Sequence, residues 1–436
     1  MTINDVCGVI KGRVLLPGDD GFEQAATAWN LTVRQPVAAV AEAADADDVA
    51  ALVRYARRAG MTVTAQPSGH GASGDVEGLI LLRTGLLNEV EVHEQERVVR
   101  VGAGATWGQV LTATGPLGLT GLAGSALGVG VTGYTLGGGV GWFSRRHGLA
   151  SGSVRAVEIV DADGVPGRVT AESDPELFWA LRGGGGDFAL VTALELGLYP
   201  APGLYGGRVI WPERRAREVY EAFLEITAEA PRELSVWVNR LQPPGAPPMV
   251  TLDLAYLGEA GQGEDLLVRI DKIEGAISDS RGVVPLADLG AIAAEPTAPA
   301  PSIARAELLT GLDADAVELL LAKPVAPLVN VQIRHLGGAL AEPGGGAGAG
   351  GVVAEPYLLG LVGLGLPHAA DATRAKQAEV VADLESYVAG RKPYTLLTPG
   401  ETAAESFSGG TLARLREIKR ARDPHNVFRA NYPVLG

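Results

Sequence analysis

The stretch GVGVTGYTLGGGVGWFSRRHGLASGSV, residues 128–154, carries nine glycines in 27 positions. Its first six residues match G-x-G-x-x-G. That pattern marks a dinucleotide turn only when a hydrophobic strand precedes it, a helix follows it and an acid stands about 20 residues on. Here GLAGSAL (121–127) comes before it, more glycines come after, and position 153 is a serine. A Rossmann site is therefore rejected. The chain also lacks a G-x-x-x-x-G-K-[ST] phosphate loop, a G-x-S-x-G nucleophile elbow and a histidine pair at metal-ligand spacing. What remains is a run of small residues over 121–141. Such runs expose successive backbone N–H groups, which can cradle a diphosphate without any lysine. The chemistry would then come from a bound cofactor, with the protein supplying position and electrostatics.

A second backbone-rich loop, QPSGHGASGD (66–75), surrounds His70, one of six histidines. Gly69 and Gly71 are read as granting conformations closed to other residues and a close approach to another body. Taken alone, the window reads first as a turn with an incidental histidine. At 436 residues the chain exceeds one ordinary core, so two domains are expected. Sixty glycines are about twice the usual share of roughly 7% and fall in short runs, without a collagen period. A net charge of −15 argues against a nucleic-acid partner, which needs clustered Lys and Arg. Met1 to Pro17 lacks a basic start followed by a long apolar run, so no secretory signal is read and a cytoplasmic location is expected. No apolar segment reaches the ~20 residues of a membrane span. Cys7 is the only cysteine, which excludes an internal disulfide and a thiolate metal cluster. No metal site is expected.

The chain begins as α/β. DADDVAALVRYARRAG (45–60) reads as a helix, with Asp45 or Asp47 as cap, Val49, Leu52, Val53 and Ala56 on one face, and Gly60 closing it. MTVTA follows as a strand running into the His70 loop. Strands at 79–82, 98–102 and 155–161, a helix opened by Thr106 and one starting near Ser173 complete the first part. From about Tyr205 a helix (213–229) precedes three alternating stretches, LSVWVNRLQ, PMVTLDLAYL and LVNVQIRHLGG, read as an antiparallel sheet. In the last, Val329, Val331 and Ile333 share one face, and Asn330, Gln332 and Arg334 the other. Ser235, Trp237, Asn239, Thr251 and Asp253 form the matching polar sets. EPGGGAGAGG (342–351) reads as a flexible loop, 369–389 as a long helix, and the end as a helix, a turn at Asp423-Pro424 and an extended tail.

These strings carry a resemblance. Residues 128–154 resemble the signature of the vanillyl-alcohol-oxidase/PCMH superfamily, berberine-bridge-enzyme-like branch. PSGHGAS (67–73) is similar to that branch's Gly-Gly-His loop. ELFWALRGGGGDFALVTALELGLYP (176–200) and DPHNVFRANYPV (423–434) match as well, in the expected order over nearly the whole chain. The resemblance implies FAD bonded covalently through its 8α carbon to His70, whose imidazole must be neutral as it reacts. Many relatives add a second bond from a cysteine, but Ala126 stands at that place, so a single tether is implied. The loop also departs from the family, with Gln66-Pro67-Ser68 where relatives usually carry an arginine and an extra glycine. The implied cofactor-binding residues are Ser68, Gly69, His70, Gly71, Ala72 and Ser73 in the loop. Gly124, Ser125, Gly128, Val129, Gly133, Gly137, Gly138, Gly141 and Val154 follow from the glycine span, and Asn431 and Tyr432 from the tail.

The implied fold is α+β. A PCMH-type FAD-binding domain of two α/β subdomains covers 1–204, an antiparallel-sheet substrate domain backed by helices covers 205–409, and 410–436 returns to the first domain. The candidate catalytic residues are Tyr432, Gln332 and Arg334. Arg334 is suited either to hold a carboxylate or enolate or to pair with Asp253, and Tyr134, Tyr394 and Tyr432 are candidate bases. His335, Trp142 and Trp179 are read as core, His147 as packing beside the adenine half, and His425 as capping its turn. Arg145 and Arg146 are read either as diphosphate neutralisers or as solvated. The leading function is an FAD-dependent oxidase of a small organic or natural-product substrate, reoxidised by O2. The alternatives are an oxygenase of a polyketide-like substrate and a flavin-binding protein of low turnover. The oligomeric state is left open.

Overall fold

The computed structural model describes residues 3–343 and 348–436. Its first sheet has Ile80–Arg83 at the centre, parallel to both Ala39–Glu42 and Val63–Ala65, with Arg13–Leu15 antiparallel on the edge. The helix Ala46–Ala59 connects two of these strands. Asp45 caps it by accepting from Asp48 N at 2.9 Å, and Gly60 closes it at φ 66°. Its face of Val49, Leu52, Val53 and Ala56 is fully buried on the sheet. The His70 loop leaves the C-terminal end of Val63–Ala65. A five-stranded antiparallel sheet follows, in the order Val90–His93, Val98–Gly102, Leu190–Gly197, Val154–Val160, Pro166–Val169. Thr106 opens the helix Trp107–Thr114 with a capping box completed by Gln109.

The second half is an antiparallel sheet of eight strands. Tyr205–Pro212, Met249–Tyr256, Leu234–Leu241, Leu328–His335, Tyr357–Leu364 and Ser302–Leu309 lie side by side in that order. Helices Ala216–Ala228, Ala314–Leu321 and Ala370–Asp383 cover one face. There Val219, Phe223 and Val317 pack with Val236, Val238, Ile333 and Leu361 in one buried cluster, each large side chain contributing about 1.5–3 kcal/mol. The other face turns towards the first half. Trp237 stacks on Trp142 at 3.6 Å between ring centres, and Ser235 Oγ donates to Trp142 O at 2.6 Å.

Several expectations need correction. The strand Leu328–His335 bulges between Leu328 and Asn330, so Val329 is the extra residue and stays half-exposed; Leu328 joins Val331 and Ile333 on the apolar face instead. The helix expected over 369–389 stops at Asp383, and Glu385–Tyr387 is a 3-10 turn. Of the loop expected over 342–351, residues 344–347 lie outside the described residues, and Gly348–Gly350 is a 3-10 turn tied by Gly350 N to Arg182 O at 3.1 Å. Arg145 neither faces solvent nor stands free for a diphosphate. It is buried and donates to the carbonyls of Leu234 (2.8 Å), Leu336, Ala230 (3.0 Å) and Pro231 (3.2 Å), clamping the two halves together. Its neighbour Arg146 pairs with Glu233 at 3.3 Å.

The chain end returns to the first sheet. After the helix Gly409–Arg422, the buried Asp423 carboxylate accepts from Val427 N and Phe428 N, each at 2.8 Å. Asp423 thus caps the turn, whereas His425 is exposed. Val63 N then donates to Val427 O at 2.7 Å and Arg429 N to Val63 O at 3.0 Å. Buried Lys419 holds the turn through Asp423 Oδ2 (2.8 Å) and the carbonyls of Phe428 (2.7 Å) and Asp187 (2.8 Å).

Candidate active site

The His70 loop is shaped by one glycine. Gly69 has φ 74°, and a methyl there would sit 3.0 Å from Ala28 Cα. Gly71 has neither a positive φ nor any atom within 4 Å of that position, so the demand expected of both glycines falls on Gly69 alone. Trp29, anchored by its N–H to Ser68 O at 3.2 Å, stacks on the His70 ring at 4.5 Å and 20°. Ser68 Oγ lies 2.7 Å from His70 Nδ1. Burial pushes the imidazole down to about 4, so it is neutral at ordinary pH. Ala72 is buried under the loop with its N–H on Gly69 O at 3.3 Å, and the Ser73 hydroxyl accepts from Asp75 N at 3.2 Å.

The glycine span packs beside this loop. A methyl at Gly130 would meet Pro67 Cβ at 3.0 Å, which places the helix Val131–Leu136 directly against the histidine's own segment. Gly128 and Gly133 are exposed, with no atom within 4 Å of an added methyl. Gly124 lies against the Tyr134 ring, and Val129 is half-buried with its carbonyl accepting from Trp107 N at 3.1 Å. Gly137, Gly138 and Gly141 are buried in packing with Thr395, Leu149 and Ala123, and Val154 is the buried first residue of its strand. The tail joins in. Gln66 Nε2 donates to Asn431 Oδ1 at 2.8 Å, and Tyr394 Oη donates to Tyr432 O at 2.7 Å. Asp187 holds the tail by accepting from Ala430 N (2.9 Å) and Val434 N (3.1 Å).

The sheet supplies the opposite wall, and strand register arranges it in rows. Arg208, Asp253, Trp237 and Arg334 are direct neighbours across four strands, and Thr251, Asn239 and Gln332 form the next row. Asp253 therefore pairs with Arg208, through two bonds of 2.5 and 2.6 Å, and not with Arg334. Trp237 stands between Asp253 and Arg334, and the guanidinium of Arg334 lies over its ring at 4.0 Å. Asn239 donates to Thr251 Oγ1 (3.0 Å) and Asp253 Oδ2 (3.1 Å) and accepts from Gln332 Nε2 (2.6 Å). The Gln332 amide is so oriented that its Oε1 accepts from Arg334 Nε. The Arg334 charge reaches Tyr134 across the halves: burial pushes the Tyr134 phenol up, and the Arg334 charge pulls it back.

Other singled-out residues take structural places. His335 is buried between Arg145 and Tyr357, pushed down to about 3 by burial and then by Arg145. His147 packs on Tyr199 at 4.1 Å and is pushed down to about 4, mainly by burial. Trp179 is only partly buried, under the Arg414 guanidinium. Two residues of the site carry no sequence signal. Trp29 lies in no motif, and Glu295, which accepts from Ser125 Oγ at 2.7 Å across the halves, sits in an Ala- and Pro-rich loop.

The cleft suits a flavin nucleotide. Gln66 Oε1, Thr132 Oγ1, Tyr134 Oη, Thr135 Oγ1 and Tyr432 Oη are buried with no hydrogen-bond partner among the described residues. An unmatched buried polar group costs about 1–3 kcal/mol, and these five fall on the His70 strand-loop, the glycine span and the tail. Gly128 and Gly133 leave the cleft bare of side chains where a ligand backbone must approach.

Comparison with known proteins agrees with this geometry. An FAD binding domain family matches residues 37–169. The (R)-6-hydroxynicotine oxidase of Paenarthrobacter nicotinovorans is 27% identical over 98% of this chain and 97% of its own. An FAD-dependent monooxygenase of Fusarium proliferatum is 37% identical over 46% of this chain and 40% of its own. The solved structure of a Physcomitrella patens BBE-like protein superposes with a TM-score of 0.86 at 19% identity, covering 100% of this chain and 99% of that one. The chain is an FAD-dependent oxidoreductase, with an FAD binding domain over residues 37–169 and the fold of the berberine-bridge-enzyme-like flavoproteins it is similar to.

Proposed function

We propose that the protein is an oxidase that carries FAD on a single covalent bond to His70 and oxidises a small organic substrate between the cofactor and the polar face of the eight-stranded sheet. The observation that carries this reading is the His70 imidazole itself. It is neutral, stacked on Trp29, engaged at Nδ1 by Ser68 and without a partner at Nε2 among the described residues. A neutral nitrogen held in one orientation is what nucleophilic attachment needs. With no cysteine at position 126, a second bond has no donor.

Bound FAD supplies a two-electron acceptor that takes hydride and passes the electrons to O2. The loop 68–73, the glycines at 128 and 133, and Asn431 would hold it. The protein's own groups do the rest. Tyr432 Oη, buried and without a partner among the described residues, hydrogen-bonds the substrate O–H or N–H beside the carbon that gives up hydride. Gln332 and Arg334 orient the substrate from the sheet side, and the Trp142–Trp237 stack closes the wall against water.

The likeness of one half of the chain to an FAD-dependent monooxygenase supports a second reading, oxygen insertion into the substrate. Two measurements test both. Acid-precipitated protein should stay yellow, with FAD mass on the tryptic peptide containing His70; full release of colour sinks the tether. Anaerobic reduction by a substrate panel, followed by equimolar H2O2 on admitting air, supports the oxidase. Incorporation of labelled oxygen into product supports the oxygenase instead.

A further inference from the structure

We propose that the substrate carries an anionic oxygen group, a carboxylate or a phenolate, and that Arg334 receives it. This rests on the site described above and names the class of molecule the site takes.

Arg334 makes no ion pair with any of the described residues. The nearest row partner that could serve, Asp253, is consumed by the bidentate pair with Arg208, and Trp237 lies between. No ion pair of Arg334 occurs among the described residues, and its one hydrogen bond runs from Nε to Gln332. Glu295 is the other acid whose charge reaches it, but that carboxylate turns to Ser125 across the halves. Arg334 is half-buried, and its two terminal nitrogens have no hydrogen-bond partner among the described residues and are not closed off from solvent. A charge in such a place is costly unless paired.

The side chain is also fixed in advance. Trp237 supports its flat face, and the amide chain Thr251–Asn239–Gln332 locks its Nε edge. The free nitrogens then present the planar fork that matches two oxygens, or one phenolate oxygen, with little further loss of freedom. Gly360, which pairs with Gln332 on the next strand, puts no side chain into the same space.

The test is binding, not turnover. Flavin-loaded protein is titrated with benzoate, phenylacetate and 4-nitrophenolate, each matched by its neutral amide or ether, and followed by the flavin difference spectrum and thermal shift. At least one acid should bind about tenfold or more tighter than its neutral twin, the worth of one charge-assisted bond. Arg334→Met should erase that preference, and Arg334→Lys should keep part of it. Equal binding of acids and neutral twins, no binding of any acid at millimolar concentration, or an undiminished preference in Arg334→Met overturns the proposal. Acids that bind through Arg334 without any substrate ever reducing the flavin would leave it standing and sink the oxidase reading alone.

Discussion

Replacing Asp253 probes the wall of the site at its most buried charge. The carboxylate is fully enclosed and takes two bonds from Arg208, with further donors from Asn239 at 3.1 Å and Thr251 at 3.3 Å. Asp253→Asn keeps the shape but leaves the Arg208 guanidinium against a neutral amide. Breaking a buried pair from one side costs about 3–5 kcal/mol. Arg208→Met strands the carboxylate among neutral donors, a loss of the same order. The double variant carries no stranded charge, so the coupling between the two should be about 2–3 kcal/mol. Run between Asp253 and Arg334, the same cycle should return under about 1 kcal/mol. Register puts those strands two spacings apart, on the order of 10 Å, with the Trp237 ring between them. Urea unfolding of the flavin-loaded protein measures the parent and all five variants. A coupling to Arg334 as large as that to Arg208 would refute the assigned row and, with it, the free cation facing the cleft.

Three further outcomes follow from single residues. Gly69→Ala, forced to φ 74° with its methyl against Ala28 Cα, should cost about 1–3 kcal/mol and lower the covalent flavin fraction, while Gly71→Ala should change neither, as read by denaturation and by flavin fluorescence in a denaturing gel. Trp29→Ala should slow attachment of added FAD several-fold without preventing binding; an unchanged attachment rate would show that the stack does not orient His70. His335 has its folded value pushed to about 3, below the ordinary 6.5, so the unfolded chain takes up the proton first: its contribution is fully present above about pH 6.5 and is lost as pH falls towards 3. His335→Gln should therefore flatten that acid-side decline by on the order of 5 kcal/mol, and an unflattened stability curve would count against a buried neutral imidazole.

The parts of this molecule that were legible in its sequence are those where the backbone itself is constrained. Gly69, Gly130 and Gly133 sit where a side chain would strain the chain, collide or fill the cleft, so their placement writes the loops into the sequence. The helix Ala46–Ala59 and the strand alternation were legible for a similar reason, because period and capping are local. What was hidden is what depends on which segments meet. The bulge at Val329 is imposed by pairing with Tyr357–Leu364, a strand some thirty positions away, and shifts the apolar face by one residue. Arg145 looked like a surface or phosphate-binding cation because its carbonyl partners lie 85 to 191 positions on. Trp29 acquires meaning only when the chain brings it over His70.

The Arg334 question shows where that boundary falls. Alternation alone put Asp253 and Arg334 on the same polar face and left pairing and freedom equally open. Strand order settled it, because Leu234–Leu241 runs between their two strands and places Trp237 between the charges. Strand order is a property of the whole sheet and has no local signature. The same order hands Asp253 to Arg208, whose own strand starts the sheet domain. One tryptophan thus separates a satisfied ion pair, which rigidifies the wall, from a cation whose two terminal nitrogens have no partner among the described residues. A sheet that placed Arg334 one strand closer would have a neutral, self-contained wall and nothing with which to grip an anion.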